Sequence, residues 1–469
     1  MYGIGMVLVK AGGILLMPFY WKALTPEDFG VFAIFQIVTQ FLVIVFDWGI
    51  SGAVQRCYHE WGRDAADFIG ASYLIHVFFN LIPILILYCY SDYISALLFG
   101  NDFPIEFFKA GVVNTYFSLL SNVPQSLYRS MEQSKKFTLL SAMQFVLSST
   151  LALISLYGFK LGLKGYVYSY LFANIIFSLY YVFDIGRIAK ITFKKIYYVT
   201  ILTYAIPTVP AAILDGMGGI FDRLFLEKYV SSGTLGLYSI ARQIAGAYNL
   251  LLVSLKTAWL PAIYKIVSTG NNGKEVLEKM TSKYVYVVAI FAAAVAYLAA
   301  DAILLVGEPK YYGVAKFVPI IILGYFVQGV GHVTGRGLDL AKKTQYYWIM
   351  YFFGVSIGIV SIYYLAPKYG AWGAGAAYFI SVLVREIIQF LLSNYFYPRK
   401  IELLKFFAFV PFFAMGYFLT AVVNTPYVLA DLIIKMVILG SLSAIFGVYI
   451  FGPNIFKELK KIFLSRVKL

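Results

Sequence analysis

Long apolar stretches separated by short polar breaks run the whole length of the chain. Each is about 20 residues, the length a helix needs to cross a hydrocarbon core of about 30 Å. The pattern predicts about fourteen spans. They lie near 2–20, 29–50, 68–90, 107–128, 137–158, 163–186, 197–226, 234–264, 283–306, 314–335, 344–366, 370–397, 405–424 and 427–452. A transmembrane β-barrel would instead alternate over segments of about 10 residues. The fold class is therefore an all-α polytopic membrane protein, and no polar break is long enough to fold as a separate domain.

Composition agrees, with 61% hydrophobic and 13% charged residues and a mean hydropathy of +0.78. A soluble domain carries roughly 25% charged residues. The net charge of +15 would point to nucleic acid in a soluble chain; here its placement decides otherwise. Roughly 24 of the 38 basic residues follow even-numbered spans and roughly 8 follow odd ones. The first set includes Arg129, Lys135, Lys136, Arg187, Lys190, Lys194 and Lys195, and a basic tail from Lys457 to Lys468. By the positive-inside rule both termini are cytoplasmic, so the charge reports orientation in a bilayer and no nucleic-acid partner is expected. No cleavable leader is expected either, because the first apolar run leads straight into further spans. Cys57 and Cys89 fall near opposite ends of one span, too far apart to bridge.

Three ordered markers recur at one spacing. Phe29-Gly30-Val31-Phe32-Ala33-Ile34 lies over Leu235-Gly236-Leu237-Tyr238-Ser239-Ile240, about 206 residues on. Arg129-x-x-Glu132-x-x-Lys135-Lys136 matches Arg336-x-x-Asp339-x-x-Lys342-Lys343, and Gly162-x-x-Gly165 before Tyr170 matches Gly370-x-x-Gly373 before Tyr378. Together they predict an internal duplication. The offset carries span 2 onto 8, 4 onto 10 and 6 onto 12, an even number of crossings, so the copies run parallel. The expected organisation is an N-terminal lobe at 1–190, a C-terminal lobe at 191–400, and two extra helices with the basic tail at 401–469. Two packed six-helix lobes leave a central cleft.

Enzyme signatures are missing. The chain has no G-x-x-x-x-G-K-[ST] loop, no H-E-x-x-H and no G-x-S-x-G, and its three histidines (His59, His76, His332) make no metal cluster. No catalytic residue, metal or cofactor is expected. The positive signals are ionisable residues at membrane depth, where each costs several kcal/mol unless it faces a bundle interior or wet cavity. Ser239, Arg242, Gly246, Asn249 and Lys256 step by helical spacings along one face of span 8. Their repeat partner, span 2, carries Gln36, Gln40 and Asp47, with Gln36 over Arg242. Lys10 sits roughly 13 Å into span 1, and Arg385 and Glu386 lie in the middle of span 12. The candidate cavity residues are thus Lys10, Gln36, Gln40, Arg242, Asn249, Lys256 and Arg385; Asp47 and Asp215 are the candidates for ion coupling. Lys10 is also a candidate to pair with Asp47 or Asp215, and Asp222 with Arg223. Arg385 and Glu386, being adjacent on a helix, should point to different places. His76 and Lys435 read as structural or interfacial.

The segment Pro18-x6-Thr25-Pro26-x-x-Phe29-Gly30, ending in Asp47-x-Gly49-Ile50-Ser51, resembles bacterial polysaccharide (O-antigen type) flippases. So do Ile206-Pro207 leading to Phe221-Asp222-Arg223, Leu235-Gly236-Leu237-Tyr238, and Tyr369-Gly370-Ala371-x-Gly373-Ala374. These belong to the multidrug/oligosaccharidyl-lipid/polysaccharide exporter superfamily. The resemblance implies alternating access and movement of undecaprenyl-diphosphate-linked oligosaccharide to the outer leaflet of a bacterial inner membrane, with helices 1, 2, 7 and 8 lining the cavity. It implies a place in surface-polysaccharide assembly (O-antigen lipopolysaccharide or capsule) beside other assembly proteins. A lipid II flippase and a drug or cation exporter of the same superfamily stay open. A membrane-embedded glycan polymerase or ligase would need a large extracytoplasmic loop that the chain does not show.

Overall fold

The computed structural model describes residues 2–100, 103–268, 273–341, 343–398, 408–423 and 425–451. Among them the chain is all-helical, 89% helix with no strand. The helices are α1 (Tyr2–Ala23), α2 (Pro26–Phe46), α3 (Ile50–Cys57), α4 (Ala65–Leu74), α5 (Asn80–Cys89), α6 (Ser91–Phe99), α7 (Ile105–Ser130), α8 (Ser134–Leu153) and α9 (Gly162–Gly186). Then follow α10 (Lys195–Leu226), α11 (Ser232–Ser268), α12 (Gly273–Val306), α13 (Val318–Thr334), α14 (Gly337–Leu340), α15 (Tyr347–Phe396), α16 (Phe409–Val422) and α17 (Val428–Phe451). Nine described helical segments are long and apolar enough to cross a membrane, so the chain is a multi-pass membrane protein.

Local chemistry explains where these helices start and stop. At the head of α2, Thr25 Oγ1 accepts the Asp28 N–H at 3.2 Å while Asp28 Oδ2 accepts the Thr25 N–H at 2.8 Å. That reciprocal cap, with Pro26 in the first turn, makes a strong start signal. The apolar run predicted a span reaching residue 50, yet α2 ends at Phe46. Trp48 (φ 52°) and Gly49 (φ 72°) turn the chain left-handed into the short α3. Gly49 is needed there, because a Cβ would stand 2.7 Å from the Ala205 carbonyl oxygen and 2.6 Å from Thr208 Oγ1. α15 covers two predicted spans and changes course at Gly370 (φ 54°, ψ −132°). Its repeat partner Gly162 has nearly the same φ, 55°.

Contact density divides the chain into two compact units, Met1–Ile240 with Gly358–Ala374, and Ala241–Ile357 with Gly375–Leu469. In the first, α2, α7 and α9 pack together around Phe32, Phe35, Phe107, Val167 and Leu171, α8 packs on α9, and α10 packs on α2, α3 and α4. Neutral hydrogen bonds tie these helices. Asn174 Nδ2 donates to Asn114 Oδ1 (2.8 Å) and Ser118 Oγ (2.9 Å), Gln144 donates to Asn174 Oδ1 (3.2 Å), and Ser121 pairs with Ser178 (3.0 Å). The heads of α2 and α11 meet backbone to backbone in the same unit. A Cβ on Gly236 would overlap the Pro26 carbonyl, and one on Gly30 would overlap that of Ser232. The 206-residue offset pairs Pro26 with Ser232 and Gly30 with Gly236, so the contact is reciprocal, as a pseudo-twofold relation requires.

In the second unit, α12 packs on α13, α16 and α17. Lys435 Nζ on α17 meets Asp301 Oδ1 on α12 at 2.8 Å, with both side chains buried. The structural reading of Lys435 follows from that pair, which fixes a C-terminal helix outside the repeat to the lobe.

Candidate functional site

Charged side chains converge inside the second unit. Arg242, on the polar face of α11, is 7% exposed. Its guanidinium carbon lies 4.0 Å from the ring centre of Tyr378 and 5.5 Å from that of Tyr325. The negative π-faces of those rings suit a cation held away from water. Arg385, on α15, donates through Nε (2.9 Å) and Nη2 (2.7 Å) to Glu386 Oε1. The expectation that these neighbours would point apart is corrected: the long arginine stem folds back and brings its fork onto the adjacent carboxylate. Glu386 is buried, and its Oε2 has no hydrogen bond.

Further groups complete the cluster. Lys256, Arg336 and Arg385 all act electrostatically on His332 and on Glu386. Arg336 donates to the His332 carbonyl (2.6 Å) and to Asp339 Oδ2 (2.7 Å), which fixes its position at the end of α13. Arg242 and Arg385 both act on Tyr378. Asn249, on the same α11 stripe, is half-buried, and its Oδ1 has no hydrogen bond. Lys256, Arg336 and Arg385 thus gather around Glu386, and Arg242 joins them through the Tyr378 ring that it shares with Arg385. The Arg385 and Arg336 forks are taken up by Glu386 and Asp339, charge-assisted pairs that hold the cluster in place.

The other predicted residues belong to the first unit. Gln36 is half-buried and Gln40 exposed on α2. Asp215 is exposed on α10. Asp47 accepts from Ser51 Oγ (2.5 Å) and Asn122 Nδ2 (3.1 Å). The side chain of Lys10 lies outside the described residues, and with it the expected pairing to Asp47 or Asp215. Asp222, fully buried, accepts from Tyr238 Oη at 2.7 Å, and Arg223 donates to the Gly219 carbonyl at 3.3 Å. Sequence reading missed His332, Glu386, Arg336 and the tyrosine rings as parts of one site. Tyr378 did carry a signal, since it closes one of the repeat markers.

These features define a class, the polytopic α-helical transporter with a buried cationic cluster. The family model described as "Polysaccharide biosynthesis protein" matches residues 2–267, and the chain belongs to that family. An "Uncharacterized membrane protein" of Haemophilus influenzae (strain ATCC 51907 / DSM 11121 / KW20 / Rd) is 22% identical over 279 residues, 58% of this chain and 65% of that relative. The match thus spans somewhat less than two thirds of the relative's length. Among solved structures, the fold is similar to "Lipid II flippase MurJ, inward closed conformation", with TM-score 0.76 and 16% identity over 99% of each chain. It is also similar to an inward-facing "multidrug resistance MATE family transporter of the MOP superfamily", with TM-score 0.60 and 14% identity over 86% of this chain and 99% of that one. The membrane-transporter fold is therefore established.

Proposed function

We propose that this protein is a flippase that moves a lipid-diphosphate-linked oligosaccharide from the inner to the outer leaflet of a bacterial inner membrane by alternating access. The observation that carries the proposal is the convergence of Arg242, Lys256, Arg336 and Arg385 inside one helical unit, around Glu386, His332 and Tyr378. Charged side chains gathered at membrane depth are costly and mark a functional site. A lipid diphosphate is an anionic headgroup for such a site, and membership of a polysaccharide-biosynthesis family supports an undecaprenyl-linked glycan as the rest of the cargo. Lys10, Gln36, Gln40 and Asn249 are assigned to the same cargo path. Asp47 and Asp215 are assigned to ion coupling, Asp215 because an exposed carboxylate in an apolar helix must meet water. Both termini are placed in the cytoplasm beside other polysaccharide-assembly proteins. Lipid II is the second reading, supported by the full-length likeness to a lipid II flippase. A cationic drug fits poorly among Arg242, Lys256, Arg336 and Arg385.

The test measures protein abundance and cargo together. In a strain whose surface glycan depends on this gene, Arg242→Ala should leave the protein folded in the membrane while glycan export collapses, and Arg242→Lys should restore part of it. Normal abundance with normal export would remove Arg242 from the site. Purified protein should bind undecaprenyl diphosphate and not undecaprenol; equal binding of the two would sink the diphosphate reading. Accumulation of lipid II, and not of another lipid-linked glycan, on deletion of the gene would select the second reading.

A further inference from the structure

His76 stands out in the first unit because nothing satisfies it. The side chain is fully buried, and neither ring nitrogen has a hydrogen bond. A buried polar group left this way costs about 1–3 kcal/mol. Its charged neighbour is Asp47, whose Oδ1 lies 3.7 Å from Nε2, just beyond hydrogen-bonding reach. The side chain of Asp47 is 18% exposed, so the pair reaches from the surface into the core.

The surrounding backbone is irregular on both sides. Asp47 stands at the corner where Trp48 and Gly49 adopt positive φ. His76 lies in a π-helical turn, Ile75–Phe79, between α4 and α5; such turns are rare and gather at functional sites. Asn80 braces the two segments: its Nδ2 donates to the His76 carbonyl (2.9 Å), and its Oδ1 accepts from Trp48 Nε1 (3.0 Å). The other groups on Asp47 are neutral, Ser51 from α3 and Asn122 from α7. From α10, Thr208 and the Ala205 carbonyl stand against Gly49. Asp47 is the one charged group acting on His76 among the described residues.

We propose that Asp47 and His76 form a proton-binding site. The lone pair of Nε2 takes a proton from hydronium, leaving water, and no other bond changes. The imidazolium then faces the Asp47 carboxylate, and the gap closes into a charge-assisted hydrogen bond. Closure draws the π turn toward the α2–α3 corner. The ligand is a proton, because the unsatisfied group is an imidazole whose ring nitrogens have no hydrogen bond. The role of this site in driving transport rests on the ion-coupled reading above; the site itself rests on its geometry alone.

Because the chain has three histidines, nitrogen-15 histidine labelling of the full protein in lipid nanodiscs resolves them, with His76→Gln assigning the signal. The expected result is a His76 resonance that moves with pH across the range in which the protein stays folded. Its midpoint should move by about one to two pH units in Asp47→Asn. Should Asp47→Asn not fold, Ser51→Ala, which removes a donor from Asp47, should move the midpoint in its place. A His76 signal that stays constant over that range overturns the proposal, and so does a midpoint indifferent to the Asp47 and Ser51 variants. Neither measurement involves Arg242 or any lipid cargo, so its failure leaves the flippase reading standing.

Discussion

The two tyrosines that close the repeat marker, Tyr170 and Tyr378, sit in environments of opposite character. Tyr170 meets Phe32 and Phe35 edge-on, with ring centres 6.4 and 6.1 Å apart. Tyr378 carries the Arg242 guanidinium 4.0 Å from its ring centre. Around Tyr170 the neighbouring helices are tied by Asn114, Gln144 and Asn174, while around Tyr378 stand Arg242, Arg385 and Glu386. At the 208-residue offset, Ser178, hydrogen-bonded to Ser121, corresponds to Glu386, ion-paired to Arg385. Neutral interhelical hydrogen bonds cost little at membrane depth and yield about 0.6 kcal/mol each. Charges there cost far more, and holding helices together does not require them. The lesson is that the two repeat positions carry different loads: a neutral hydroxyl pair at Ser178 and a buried ion pair at Glu386.

This contrast can be broken by experiment. The largest effect is expected at Glu386. Glu386→Gln leaves Arg385 without its counter-charge, and losing one partner of a buried pair costs about 3–5 kcal/mol. Ser178→Ala, the equivalent change in the first unit, should cost about 1 kcal/mol. Unfolding of the purified variants in detergent compares the two directly; similar losses would show that both sites merely hold helices together.

A smaller effect is expected at the rings. Tyr378→Leu removes the aromatic face under Arg242, an interaction of up to about 2 kcal/mol when desolvated. Affinity for undecaprenyl diphosphate should fall about tenfold, while Tyr170→Leu leaves it unchanged. Calorimetric titration of both variants decides, and a matching loss in Tyr170→Leu would erase the asymmetry. The smallest effect is predicted for Gln36→Ala, the counterpart of Arg242. It should change that affinity by less than about threefold, since a neutral amide makes only a modest hydrogen bond. A larger loss would bring the first unit into the anion site.

The class of protein was legible in the sequence because membrane spans are a property of composition over a window. Twenty apolar residues with few charges declare a helix whatever surrounds them. The duplication was legible too, and the reciprocal Gly30 and Gly236 contact and the matching φ angles of Gly162 and Gly370 are its physical form. Arg242, Lys256 and Arg385 were visible as charges out of place. Periodicity along one helix could not say which groups on other helices would meet them. Tyr325, His332, Glu386 and Tyr378 join Arg242 only because α11, α13 and α15 are neighbours in space. The corner at Asp47 was equally hidden, since the apolar run continues to residue 50 and only two left-handed residues stop the helix at Phe46. Sequence alone therefore determined that the chain is a duplicated bundle of membrane helices with buried charge. Tertiary structure decided which charges pair, which stay with aromatic rings and which, like His76, are left unsatisfied, because those outcomes depend on distances between segments far apart in the chain.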